Sequence, residues 1–171
     1  MCSRLLRILF CSILVFVLPQ TISLAQAKIV SGFSSERRTD DDLLLLPIEL
    51  EELSLRGSRG YGADNVTDSG IAHLAKYPRL RVLHAGGLGL TDQCLQSIGK
   101  LAELEELSLD SNEITGIGIE HLLRLPKLRK LNLFFNPLNA EVFATLTKLI
   151  ELQELRVAGH GWSVDDKMLE I

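Results

Sequence analysis

Residues 104–127 read LEELSLDSNEITGIGIEHLLRLPK, and that stretch decides the fold. Leucines stand at Leu104, Leu107 and Leu109, Asn112 follows three residues later, and Ile114-Thr115 leads into Ile119, Leu122 and Leu125. The first part alternates with period two, so its leucines face inward and the residues between them face out, as in a strand. The second part moves to spacings of three, as a helix requires. One such unit is a strand, a turn and a helix.

The same grammar recurs on both sides. One full repeat covers 50–79 (Leu50, Leu53, Leu55, Val66-Thr67-Asp68, Ile71, Leu74), with six surplus residues in the Gly-rich run 57–65. A second covers 80–103 (Leu80, Leu83, Ala85, Leu90-Thr91-Asp92, Leu95, Ile98), and a fourth covers 128–151 (Leu128, Leu131, Leu133, Asn136, Leu138, Phe143, Leu146). A fifth, 152–171, begins with Leu152, Leu155 and Val157 and is incomplete. Residues 28–49 read as a degenerate N-terminal half-repeat. Within them Thr39 is placed as a helix N-cap, with Asp40, Asp41 and Asp42 where the helix dipole favours negative charge. No single unit can bury its apolar side, so the core arises from stacking at least three.

Charge supports the alignment. In stacked strands equivalent residues lie ~4.8 Å apart. The residue after each first leucine reads Glu51, Arg81, Glu105, Arg129, and the next position reads Glu106, Lys130, Glu154 in the last three strands. Alternating signs predict a ladder of ion pairs, each worth only tenths of a kcal/mol.

The N-terminus differs from the rest. Arg4 and Arg7 precede an apolar run from Ile8 to Leu18 that is broken only by Ser12, and Ala25-Gln26-Ala27 has the small-x-small form of a signal-peptidase site. The run is short of the ~20 residues a membrane span needs. The expectation is a signal peptide over 1–27, cleavage after Ala27, and a secreted or periplasmic protein; a retained anchor is the alternative. Cleavage would remove two basic residues and no acid, taking the net charge from −4 to −6. A mildly acidic surface argues against nucleic acid as a partner. Only Cys94 would remain, so no internal disulfide forms. It takes the place of the small Gly70 and Gly118 and is expected as a buried, inert thiol.

On these residues the chain resembles the leucine-rich repeat family. The segments 66–74 (VTDSGIAHL) and 90–92 (LTD) look like the bacterial ribonuclease-inhibitor-like type, LxxLxLxxxxITDxGLxxLxxL. The likeness covers about 39–171. It implies an α/β solenoid, with a concave parallel sheet and convex helices, that usually binds a protein partner. The chain departs from the pattern at Leu88 and His160, which stand where Asn112 and Asn136 do in their repeats.

Outward strand positions would form the concave face: Glu52, Ser54, Arg56; Val82, His84, Gly86; Glu106, Ser108, Asp110; Lys130, Asn132, Phe134; Glu154, Arg156, Ala158. Phe134-Phe135 stands out, with Trp162 on a loop nearby, because exposed aromatics beside charge resemble binding hot spots. Packing beneath a loop is the alternative. His84, Ser108 and Asp110 have the cast of a nucleophilic site, yet an open sheet offers no oxyanion hole and excludes no water. His73 and His121, two repeats apart, are too distant to share a zinc ion. Gly86-Gly87-Leu88-Gly89 lacks a phosphate loop's lysine and reads as tight backbone turning.

The expected function is therefore an exported, non-enzymatic protein- or peptide-binding module. Its binding residues would be drawn from Arg56, His84, Glu106, Ser108, Asp110, Lys130, Asn132, Phe134, Phe135, Glu154, Arg156 and Trp162. It would hold no cofactor, no metal and no nucleic acid, and would not touch the membrane after cleavage. The alternative is a structural unit that self-associates through its incomplete C-terminal repeat.

Overall fold

The structure, a computed structural model, describes residues 29–30, 38–56 and 65–157. Among these residues six parallel strands form one sheet in chain order: β1 (Ile29–Val30), β2 (Glu52–Arg56), β3 (Val82–Gly86), β4 (Glu106–Ser108), β5 (Lys130–Asn132) and β6 (Glu154–Arg156). The register places Leu53, Leu83, Leu107, Leu131 and Leu155 side by side. The repeat alignment read from 104–127 therefore holds, including the jump of 30 residues from Glu52 to Val82 that the 57–65 surplus requires.

Inward leucines form the core. Leu50, Leu80, Leu104 and Leu128, then Leu53, Leu83, Leu107 and Leu131, are all at most 1% exposed. Each such side chain contributes about 1.5–3 kcal/mol of hydrophobic stabilisation. Tyr77 occupies the slot that Leu101 and Leu125 fill in later repeats, and its hydroxyl donates to the Leu43 carbonyl, which ties the N-terminal segment to the stack. Burial pushes the Tyr77 phenol above its ordinary pKa.

The opposite side is less helical than the spacing predicts. Among the described residues it carries three short α-helices, α1 (Asp68–His73), α2 (Gln93–Ile98) and α3 (Val142–Leu146). Ile119–Arg124, read as a helix of the third repeat, is a 3-10 helix, as is Asp40–Leu45 behind Thr39. The backbone ahead of Ile119 explains the first. Gly116 and Gly118 adopt φ of 100° and 87°, so the chain enters from the left-handed region rather than through an ordinary cap. A 3-10 helix rises ~2 Å per residue against ~1.5 Å for an α-helix, so few residues cross the back of a narrow repeat.

Two side-chain ladders lock neighbouring repeats together. Asn112 is 2% exposed; its Nδ2 donates to the Ala85 and Leu109 carbonyls (2.8 and 2.9 Å), and its Oδ1 accepts from the Leu88 and Leu90 amides (3.0 and 3.1 Å). Asn136 repeats the pattern one turn on, donating to Leu109 and Leu133 and accepting from Ile114.

The second ladder uses the Thr-Asp pairs. Asp40 accepts from the Thr67 amide and hydroxyl (2.8 and 2.6 Å), Asp68 from those of Thr91 (3.0 and 2.7 Å), and Asp92 from those of Thr115 (3.2 and 2.6 Å). This refines the expectation for the aspartate run. Asp42 does cap, taking the Thr39 amide at 2.7 Å, but Asp40 reaches forward to the next repeat. The ladder stops where Gly116 follows Thr115.

Candidate functional site

The pleat that buries the leucines turns the alternate residues outward in rows across the sheet. One row runs Glu52, Val82, Glu106, Lys130, Glu154, and the next runs Ser54, His84, Ser108, Asn132, Arg156. Glu106, Lys130 and Glu154 of the first row and all of the second, together with Gly86, Gly87, Asp110 and Ser111, line a trough of ≈ 630 Å³ along the concave face. The proposed residues His84, Glu106, Ser108, Asp110, Lys130, Asn132, Glu154 and Arg156 all meet there.

Charge on this face is locally paired. Glu106 is the hub, with Oε1 at 2.9 Å from His84 Nε2 and Oε2 at 3.5 Å from Lys130 Nζ. The His84 hydrogen bond, assisted by Lys130 and opposed by partial burial, holds the Glu106 carboxyl below its ordinary range. Lys130 also reaches Glu154 at 3.6 Å. One position earlier along the strands, Arg81 pairs with Glu105 at 2.9 Å and lowers that carboxyl too. The alternating signs thus form a ladder at Glu106, Lys130 and Glu154 and pair Arg81 with Glu105 in the row before it.

His84 and Ser108 are register partners, but they do not assemble as base and nucleophile. The Ser108 hydroxyl donates to Asp110 Oδ1 at 2.8 Å and accepts from Asn132 Nδ2 at 2.9 Å, while the imidazole is engaged by Glu106. A general base has to reach the proton it removes, and here the carboxylate that Ser108 meets is Asp110. The serine belongs to a polar network across β4 and β5.

Phe134 and Phe135 follow β5, are 37% and 51% exposed, and meet edge to face with centroids 4.1 Å apart. Neither lines the trough. Phe135 has φ of 56°, in the left-handed region. Its equivalents one and two repeats back are Ser111 (φ 57°) and Gly87 (φ 69°), so the turn after the strand demands that conformation. A bulky side chain there costs roughly 1–2 kcal/mol relative to right-handed backbone, yet the chain carries phenylalanine. The 24-residue spacing of 87, 111 and 135 was the available signal. The first member is glycine, but the third hides the requirement.

Other expectations land as follows. Cys94 is buried, and desolvation together with Asp68 and Asp92 pushes its thiol pKa up, which disfavours the reactive thiolate. Gly87 and Gly89 both take positive φ, so 86–89 is a tight turn. Among the described residues no helix is long and apolar enough to cross a membrane, and no three His, Cys, Asp or Glu side chains group as metal ligands. The Arg56 side chain, Ala158, Trp162, the 57–64 surplus, the 1–27 segment and the C-terminal 158–171 segment on which self-association rests lie outside the described residues.

With this geometry in place, comparison with known proteins bears on the fold. The leucine rich repeat family matches residues 78–138. No curated protein sequence matches the chain. Among solved structures, internalin C2 of Listeria monocytogenes is 22% identical with a TM-score of 0.52, over 75% of this chain and 60% of its own. An internalin, inlF, of the same organism is 18% identical with a TM-score of 0.44, over 65% of this chain and 36% of its own. The chain thus spans less than two thirds of either neighbour. The α/β leucine-rich repeat solenoid is the fold.

Proposed function

We propose that the protein is an exported, non-enzymatic recognition module, built of ribonuclease-inhibitor-like leucine-rich repeats, that binds a protein or peptide partner across the concave sheet. One observation carries this: the polar trough of ≈ 630 Å³ is walled by outward side chains of five consecutive strands. Those strands are held by two side-chain ladders whose buried members have their hydrogen bonds met by neighbouring repeats. Rigid presentation of many side chains lowers the ordering cost of binding. The half-exposed Phe134-Phe135 pair adds an aromatic anchor at the end of β5, and its strained turn fits a residue kept for contact rather than for folding.

Affinity capture with the wild-type protein, followed by the same capture with Phe134→Ala and Phe135→Gly, tests the anchor. Glycine is the milder choice at 135 because it removes the ring while accepting the left-handed turn. Loss of the partner with thermal stability kept supports the proposal, and undiminished capture removes the aromatic pair from it. Export is tested separately by N-terminal sequencing of protein recovered outside the cytoplasm. Lys28 is the expected first residue.

A further inference from the structure

We propose that the partner inserts a basic side chain, arginine before lysine, into the trough over Gly86 and against Asp110; this rests on the concave-face reading above.

Two features of the floor lead there. The first is a gap: β3 ends in Gly86 and is followed by Gly87, so the row that carries side chains elsewhere is bare backbone at these two residues. A side-chain carbon built on Gly86 would lie 2.7 Å from Asp110 Oδ1, so the carboxylate leans across the space that glycine leaves open.

The second is an imbalance of charge. Glu106, which opens the β4 strand that leads to Asp110, has His84 and Lys130 as partners. Among the described side chains Asp110 meets two hydroxyls, Ser108 Oγ at 2.8 Å and Ser111 Oγ at 3.5 Å, and no cation. A carboxylate offers about four acceptor positions. Asp110 is half-buried, and a charge removed from water without an opposite charge is left unstabilised.

A guanidinium meets both features. It is planar, can bond a carboxylate through two parallel N–H groups, and stacks on aromatic rings. Phe134 follows β5 beside Asp110, as the Ser111 amide bonded to the Phe134 carbonyl shows, and is exposed enough to receive the aliphatic stem. A neutral or acidic segment would leave Asp110 uncompensated.

Random displayed peptides selected on the wild-type protein supply the probe. The best peptide is then synthesised, together with a version carrying citrulline for arginine (or norleucine for lysine). Binding is measured to wild type, to Asp110→Asn and to Asn132→Tyr, each first shown to unfold as cooperatively as wild type. Asp110→Asn keeps an oxygen for Ser108 and removes only the charge. The proposal expects selected peptides rich in arginine or lysine. It expects about tenfold or greater weakening both on Asp110→Asn and on neutralising the peptide's basic residue. Enrichment of neutral or acidic peptides, equal binding to Asp110→Asn, or no enrichment at all overturns it. Peptides indifferent to Asp110→Asn but lost on Asn132→Tyr overturn the basic-partner inference alone. Peptides indifferent to both remove the concave-face reading as well.

Discussion

Replacing Asn112 by alanine should cost roughly twice what the same change costs at Asn136. In the native protein Asn112 Oδ1 accepts from the Leu88 and Leu90 amides, neither of which has a main-chain acceptor, and Leu90 is fully buried. Truncation orphans both donors. At about 1–3 kcal/mol for each buried unsatisfied group, the loss is about 2–6 kcal/mol. The carbonyls suffer less, because Leu109 O also accepts from Asn136 Nδ2. Asn136→Ala orphans one amide, Ile114, for a loss of about 1–3 kcal/mol. A domain of ordinary stability has only about 5–15 kcal/mol to lose. Urea unfolding followed by circular dichroism, with slopes compared to confirm two-state behaviour, gives both differences. An Asn136→Ala loss equal to or larger than that of Asn112→Ala would refute the ladder account.

Three further outcomes are expected. Gly70→Ala should destabilise by about 1–3 kcal/mol, because its new carbon would sit 2.1 Å from Asp40 Oδ1; the penalty should shrink in an Asp40→Ala background, and an unchanged penalty in that double-mutant cycle contradicts the contact. Cys94 should react with a thiol reagent only at the rate at which the native protein opens, so fast labelling under native conditions would show that its burial is wrong. The Glu106 carboxyl is lowered in the folded state, so its stabilising effect is present above the ordinary carboxylate range and fades as pH falls through the lowered value. The gap in melting temperature between wild type and Glu106→Gln, corresponding to well under about 1 kcal/mol for so exposed a group, should therefore close in acid; a gap that persists there argues against the His84 and Lys130 pairing.

The sheet was legible in the sequence because period-two leucines at fixed spacing leave one register that buries them all. Glu105 against Arg81, and Lys130 between Glu106 and Glu154, then confirmed that register by sign alone. What escaped was which backbone and hydroxyl partners the polar side chains take in the neighbouring repeat. The Thr-Asp pairs were visible as a recurring signature, but nothing local says that Asp68 serves Thr91 rather than its own helix. Helix type escaped because Ile119, Leu122 and Leu125 satisfy a 3-10 spacing as well as an α one, and the backbone at Gly116 and Gly118 decides between them. At the site, the outward rows were readable from the pleat, while the lean of Asp110 over Gly86 and the left-handed turn at Phe135 came only with coordinates.

The claim beneath all of this is that recognition uses the strand face. It is met most directly by blocking each side of the slab in turn, with Asn132→Tyr in the trough and Glu120→Tyr on the exposed back, and measuring the affinity of the captured partner for both. The account predicts that Asn132→Tyr abolishes binding and Glu120→Tyr leaves it unchanged. Binding that survives the first substitution and fails with the second would contradict it.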